Sequence, residues 1–263
     1  MIPRFLRDSF FKLWYGFRGV PRTLGKHSVR FDESLRRWEL EAEDVAIQAI
    51  QQYLHPGQVF VDVGANFGLH TLHAAKQVGE QGFVFAFEPV PSNLKLLRRN
   101  IALNGIEHQV LIVPSAVSNQ TEATLSFHVP DEEIPVTASL STAEQSRSIQ
   151  VANVRLDDYW EMVNRPIHLI KIDVEGAELE VLRGAENLLQ RWRPHLLIEV
   201  HGFALPAFGS SVEELQDFLT KLGYQEHRLE SAHFSGKDYY QAIYLCQSAS
   251  ELEFQSTQSE ILL

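Results

Sequence analysis

Between Val59 and Val200 the chain alternates short runs of β-branched and aromatic residues with longer stretches of helical periodicity. Val59–Val63, Phe83–Phe87, Val110–Val113, Ile167–Ile172 and Leu196–Val200 are nearly continuous in apolar residues. Strands that are hydrophobic on both faces must be covered on both faces, and strands separated by helices run parallel. The fold class is therefore α/β, with a doubly wound sheet. The intervening stretches carry helical stripes: Ala46, Ala49, Ile50, Tyr53 and Leu54; then Leu94, Leu97 and Ile101 within Asn93–Asn104; then Ala177, Val181, Leu182, Ala185, Leu188 and Leu189. Ser211 and Glu214 form a capping box before Val212, Leu215, Phe218, Leu219 and Leu222. Tyr224–Leu229 and Tyr239–Cys246 have no helix between them, which predicts an antiparallel hairpin at one sheet edge.

Residues 114–158 break the rhythm. Thr124–Val129 and Ile149–Val154 read as strands around a polar segment, Asp131–Ser148, whose composition is that of a mobile loop. Loops of that length in a compact domain are usually lids, binding loops or disordered.

The strongest chemical signal is the run Val59-Phe-Val-Asp-Val-Gly-Ala-Asn-Phe-Gly68. A buried strand passes through a turn with Gly64 and Gly68 into a helix over Leu69–Val78. Glycines let backbone approach a ligand, and the helix start presents free N–H groups. Glu88 ends the next strand, where an acid commonly accepts hydrogen bonds from ribose hydroxyls. The spacing Gly64-x-Asn66-x-Gly68 does not fit the dinucleotide fingerprint. Asp62, two residues before the first glycine, would repel a pyrophosphate but suits a ligand that carries an amino group. No tyrosine has a lysine four residues later, as a small NAD-dependent reductase often does. The cofactor read from these residues is S-adenosylmethionine. Asp173 ends the strand Ile167–Ile172 at the same sheet edge, and Leu196-Leu-Ile-Glu-Val-His201 delivers Glu199 and His201 there.

Charge is spread unevenly. Residues 1–30 hold seven Lys or Arg against one acid, Asp8, which leaves 16 basic and 33 acidic residues elsewhere, a balance of −17. Such a body repels phosphate backbones, so nucleic acid is a poor partner. Within the basic segment, Leu6, Phe10, Leu13 and Phe17 fall on one helical face. Residues 3–17 read either as an amphipathic contact for an anionic membrane or as an arm that packs on its own domain or on a homodimer mate. Cys246 is the one cysteine, no Cys/His spacing suggests zinc, and there is neither a signal-like stretch nor an apolar run of eighteen residues. The expectation is a cytoplasmic protein, with peripheral membrane contact the open alternative. Its parts are an arm (1–30), one domain (31–247) and a polar tail (248–263).

Taken in order, Phe60-Val-Asp-Val-Gly-Ala-Asn-Phe-Gly68, Phe87-Glu-Pro-Val-Pro-Ser-Asn93, Ser115-Ala-Val-Ser118, Arg155-Leu-Asp-Asp158, Leu169-Ile-Lys-Ile-Asp-Val-Glu-Gly-Ala-Glu178 and Leu182-Arg-Gly-Ala185 resemble the FkbM family of S-adenosylmethionine-dependent methyltransferases. The resemblance spans about residues 55–205. It implies the class I methyltransferase fold, Rossmann-like, with a seven-stranded sheet whose last strand is antiparallel. It also implies that Asp62, Gly64, Asn66 and Gly68 line the methionine end of the cofactor, that Glu88 holds the ribose, and that Ser115 and Ala116 flank the adenine. Family members mostly methylate oxygen on sugars, glycolipids or natural products, so the implied partner is a small-molecule or glycan acceptor.

Methyl transfer from a sulfonium is an in-line displacement, so catalysis is alignment plus removal of the acceptor proton. His201, with Asp173 beside it, is the candidate base. Alternatively Asp173, Glu199 and His201 ligate a divalent, Mg2+-like ion that acidifies the acceptor hydroxyl. Two other functions share parts of this pattern: a nitrogen- or protein-directed methyltransferase, and a NAD-type oxidoreductase or non-catalytic binder of a nucleoside cofactor.

Overall fold

The structure, a computed structural model, describes residues 14–38, 44–130, 146–230 and 239–246. It opens with a hairpin, β1 (Val20–Leu24) and β2 (His27–Phe31), whose strands pair antiparallel from Val20 with Phe31 to Leu24 with His27. Then come α1 (Asp44–Tyr53), β3 (Val59–Val63), α2 (Leu69–Val78), β4 (Phe83–Phe87), α3 (Pro91–Asn104) and β5 (Val110–Val113). Three strands, β6 (Ser115–Val117), β7 (Thr124–Pro130) and β8 (Ser146–Val154), lead to α4 (Leu156–Val163). The chain closes with β9 (Leu169–Ile172), α5 (Glu178–Arg183), α6 (Glu186–Trp192), β10 (His195–His201), α7 (Val212–Lys221), β11 (Tyr224–Arg228) and β12 (Tyr239–Cys246).

The main sheet has seven strands in the order β11-β12-β10-β9-β3-β4-β5. β5, β4, β3, β9 and β10 run parallel, and β12 alone is antiparallel to its neighbours. This is the seven-stranded arrangement with an antiparallel last strand that the resemblance implies. β11 and β12 pair antiparallel at one edge of the sheet, as expected, with β11 outermost and β12 between it and β10.

Alternation along the strands divides the core. Val59, Val61, Val63, Ile170, Ile172, Ile198 and Val200 join one apolar layer, whereas Phe60, Leu169 and Leu197 join the other. Asp62, Lys171, Glu199 and His201 have the parity of the second set, so they share its face near the strands' carboxyl ends. The strand register puts Asp62 opposite Lys171 and Glu199 opposite Gln241.

The long stripe predicted from Ala177 to Leu189 is broken into α5 and α6. A Cβ at Gly184 would lie 2.2 Å from Ser118 O, so the chain passes too close to the 115–118 segment for anything larger. Asp157 restarts the helix: its carboxylate accepts from Leu188 N (2.8 Å), Asn187 N (3.2 Å) and Asn187 Nδ2 (3.0 Å). A side chain from another helix thus satisfies N–H groups that a helix start leaves free. The blocks Arg155–Asp158 and Leu182–Ala185 therefore meet as scaffold.

The predicted strands around the polar loop are present, and β8 begins earlier than expected, at Ser146. With β6 they form a second, three-stranded sheet, order β6-β8-β7, one end of which borders the cleft described below. The rest of the polar segment and the 248–263 tail lie outside the described residues. So do Leu6, Phe10 and Leu13 of the arm's apolar stripe. Its second half is no free arm: Leu24, Val29 and Phe31 are buried with Phe67 and Leu97, and Asn104 and Asn100 side chains accept from Arg30 N (2.9 Å) and Asp32 N (2.7 Å). Among the described residues no helix is long and apolar enough to cross a membrane.

Candidate active site

The carboxyl ends of β3, β4 and β9 open into a cleft of about 600 Å³, lined among others by Gly64, Asn66, Glu88, Asn93, Ser115, Ala116, Phe127, Asp173 and Glu175. Six of the predicted site residues therefore share one cavity: Gly64, Asn66, Glu88, Ser115, Ala116 and Asp173. Asp62 and Gly68 do not line it.

Gly64 sits at φ +83°, and a Cβ there would lie 1.9 Å from Asp173 O. Only glycine lets β3 and β9 end this close together. Asn66 is itself left-handed, at φ 52°, which aims its N–H at Glu88 Oε2 (2.8 Å). Gly68 is the N-cap of α2 at φ +94°, pressed against Leu97, and has a packing role. Asp62 lies beneath the turn, 1% exposed, where its Oδ2 accepts from Thr71 Oγ1 (2.6 Å).

Glu88 is buried at the end of β4. Its Oε1 accepts from Val90 N (2.7 Å) and Asn93 Nδ2 (3.4 Å). Burial nevertheless outweighs these donors and raises its pKa to about 7. Each carboxylate oxygen can accept more than one hydrogen bond, so Glu88 retains capacity for donors on a ligand.

Behind the cleft a second group of ionisable side chains is packed together. Lys171 is 2% exposed and donates to Asp173 Oδ2 at 2.8 Å. Burial disfavours its charge, but Asp173, Asp62 and Glu199 outweigh burial and raise its pKa. Burial likewise works against the Asp173 carboxylate, yet Lys171 and His201 hold it below the ordinary carboxylate range. His201 Nδ1 lies 2.7 Å from Glu178 Oε1, and Nε2 faces Glu175 Oε2 at 3.5 Å and Glu199 Oε1 at 3.7 Å. Burial alone would lower the imidazole; the Glu178 hydrogen bond and the carboxylates around it raise it to about 10. These partners favour the imidazolium at neutral pH, so a role for His201 as base or ion ligand requires that proton to leave. Burial pushes Glu175 and Glu199 up to about 7. Glu199 also accepts from Tyr239 OH (2.6 Å) and Gln241 Nε2 (3.0 Å).

Sequence reasoning missed Glu175, Glu178 and Lys171. Glu175 is a non-glycine residue at φ 55°, and it lines the cleft while facing His201. Glu178 reads as a helix-dipole partner, yet it is fully buried and orients His201. Lys171 had a signal in its position, two residues before Asp173 on the same strand face. Asp173, Glu199 and His201 are the one group among the described residues whose donor atoms converge, within 4.8 Å of one another.

The cleft is rich in hydrogen-bond acceptors. Besides the carboxylates, Asn66 Oδ1 is buried there without a hydrogen-bond partner, and Asp62 Oδ1 is likewise unpartnered beneath the turn. Buried acceptors without donors are costly, and around this turn they suit a ligand that brings cationic N–H groups rather than phosphate. S-adenosylmethionine, with an ammonium, a sulfonium and ribose hydroxyls, fits that donor set.

The family model for the methyltransferase FkbM domain matches residues 62–226. The chain is 28% identical over 173 residues to the hexuronic acid methyltransferase AglP of Haloferax volcanii, covering 65% of this chain and 67% of that protein. It is 34% identical over 181 residues to the 31-O-demethyl-FK506 methyltransferase FkbM of Streptomyces tacrolimicus, covering 56% and 67%. Matches to the first curated relatives span 58% to 67% of their lengths. An rRNA methylase from Streptococcus thermophilus superposes with a TM-score of 0.51 at 13% identity, over 79% of this chain and 97% of that one, which shows a shared fold.

Proposed function

The chain belongs to the FkbM methyltransferase family, whose members use S-adenosylmethionine, and on that premise we propose that it methylates a hydroxyl oxygen of a sugar, glycolipid or natural product. The observation that carries the reading is the set of acceptors lining the cleft: Glu88, Asp173 and the free oxygen of Asn66 match a cationic nucleoside. Glu88 holds the ribose hydroxyls, Ser115 and Ala116 flank the adenine, and Gly64 with Asn66 shapes the methionine end above Asp62. When bound, the cofactor supplies an electrophilic methyl group. Asp173 and Glu175 are the carboxylates shared by the cleft and the cluster behind it, so the acceptor hydroxyl is aligned and deprotonated there. His201 is a positioning residue that, paired with Glu178, balances their charge. The relatives named for hexuronic acid and for a 31-O-demethyl substrate support oxygen as the methylated atom.

A second reading has its own observation. Asp173, Glu199 and His201 offer converging donors, and Glu178 orients the other ring nitrogen of His201, as a carboxylate commonly does for a metal-bound histidine. A divalent, Mg2+-like ion there would lower the pKa of an acceptor hydroxyl. The pole formed by Trp14, Phe17, Arg18, Arg30 and Arg99 supports contact with an anionic membrane.

One experiment tests the cofactor and the ion together: thermal unfolding with S-adenosylhomocysteine, with NAD+, and with Mg2+ after chelation. A ligand at 100 times its Kd stabilises by about 2.7 kcal/mol, a rise of roughly 5–10 °C for a chain this size. S-adenosylhomocysteine should raise Tm and NAD+ should not; a shift with NAD+ alone sinks the reading. A further rise with Mg2+, lost in Asp173→Asn, supports the ion, and an unchanged curve removes it.

A further inference from the structure

Beside the acidic cluster the structure exposes a large aromatic ring. Phe203 is 66% exposed, two residues beyond His201. Its ring stands edge-on to His201, with centroids 5.9 Å apart at 80°, and edge-on to Tyr239, 5.9 Å apart at 75°. The His201 and Tyr239 rings are themselves 5.2 Å apart. Tyr239 in turn donates to Glu199, so the exposed ring is tied through Tyr239 and His201 to a carboxylate cluster that is itself largely buried.

The turn that follows the ring packs on a loop of the cleft. A Cβ at Gly176 would lie 2.7 Å from Ala204 Cβ and 3.0 Å from the Phe208 ring, so the turn that carries Phe203 is seated on the loop that carries Glu175. Glycine at φ +106° is what permits this contact. An exposed ring next to hydrogen-bonding carboxylates has the make-up of a polyol site: the ring face packs on the C–H face of a sugar while the carboxylates accept from its hydroxyls. Charge narrows the ligand further. Lys171 and His201 are matched by Asp173 and Glu178, and Glu175 and Glu199 add only further acceptors or negative charge, so the cluster offers no surplus positive charge to an anionic acceptor.

Resting on the methyltransferase reading, we propose that Phe203, buttressed by Tyr239 and His201, is the acceptor platform, on which a neutral sugar ring stacks with its reacting hydroxyl toward Asp173 and Glu175. Phe203 sets acceptor affinity and orientation and does not touch the cofactor.

Saturation-transfer NMR on the full chain, loaded with S-adenosylhomocysteine, tests it with neutral methyl glycosides of gluco, galacto, manno and rhamno configuration, methyl glucuronide and p-nitrophenol. At least one neutral glycoside should receive saturation at its ring protons, methyl glucuronide less. Phe203→Ala should weaken the glycoside by about tenfold, Phe203→Trp should restore it, and homocysteine-nucleoside affinity should be the same in all three proteins. Equal glycoside signals in wild type and Phe203→Ala overturn the proposal. So does preference for the glucuronide or the phenol, or no glycoside signal while S-adenosylhomocysteine binds. Failure of S-adenosylhomocysteine itself to bind overturns the cofactor reading instead.

Discussion

At Glu88, burial and hydrogen bonding act on the same proton in opposite directions. Two backbone N–H groups and Asn93 favour the carboxylate, and burial outweighs them to leave a pKa near 7 against an ordinary 4.5. A folded-state pKa above the unfolded one means that the native state holds the proton more tightly. The group's contribution to stability is thus complete below about 4.5 and is lost as pH rises through 7. Ribose hydroxyls reverse the preference, because they donate to the carboxylate. S-adenosylhomocysteine affinity should therefore rise about tenfold from pH 6 to pH 8, with release of close to one proton. Titration calorimetry in buffers of different ionisation enthalpy reads both quantities. Glu88→Gln turns an amide NH2 toward a backbone N–H and removes the titration, so its affinity should be lower and flat with pH. A Glu88→Gln profile that still climbs would move the ribose contact elsewhere. Gly64, Glu88 and Asp173 were legible because each stands where a strand ends, and parallel strands end at the ligand. Glu175, Glu178 and the charge on His201 were not, since they depend on a left-handed residue and on packing between segments distant in sequence.

The strands of the main sheet and the helices that flank it were readable as elements because their apolar periodicity is local. The N-terminal hairpin was not. Its alternation of Val20, Leu24, Val29 and Phe31 is overlaid by Arg22, Lys26 and Arg30, and the charge drew the eye to an arm. What ties the hairpin down is polar and non-local. Asn100, fully buried on α3, accepts from Asp32 N (2.7 Å) after β2 and donates to Phe67 O (2.7 Å) in the cofactor turn. One side chain thus joins the hairpin, α3 and the β3–α2 turn. Asn100→Ala leaves a buried N–H and a buried C=O unpaired, and a few kcal/mol of stability should be lost. Urea unfolding should show the midpoint falling with m unchanged. S-adenosylhomocysteine binding should weaken too, because Phe67 lies next to Asn66. A midpoint within error of wild type would mean that water replaces both partners and that the hairpin is held by apolar burial alone.

Over the whole molecule, charge and shape divide along one axis. The basic excess is confined to the first 30 residues and the rest of the chain carries the −17 balance. Folding of Val20–Phe31 onto the domain places part of that basic segment beside Arg99, and Phe17 (85% exposed) and Trp14 (54%) stand next to Arg18 and Arg30. Arg99 donates to Gly16 O and Arg30 Nη1 to Arg18 O (3.0 Å), so the pole is held in shape by its own arginines. Exposed aromatic rings flanked by guanidinium groups suit the headgroup region of an anionic bilayer, where each basic residue near the surface contributes about 1 kcal/mol and rings insert their apolar edge. The acidic body disfavours flat adsorption of any other face. Sedimentation should therefore occur with phosphatidylserine-containing liposomes and not with neutral ones, and should fall steeply between 50 mM and 300 mM salt. Phe17→Ser with Trp14→Ser should reduce binding even at low salt, which separates insertion from simple charge attraction. Deletion of residues 1–17 keeps the hairpin and removes both the aromatics and three further basic residues, so sedimentation should disappear while Tm stays near wild type. If the deletion instead halves the mass seen by light scattering and leaves liposome binding unchanged, the pole is a contact between two copies of this chain rather than a membrane surface.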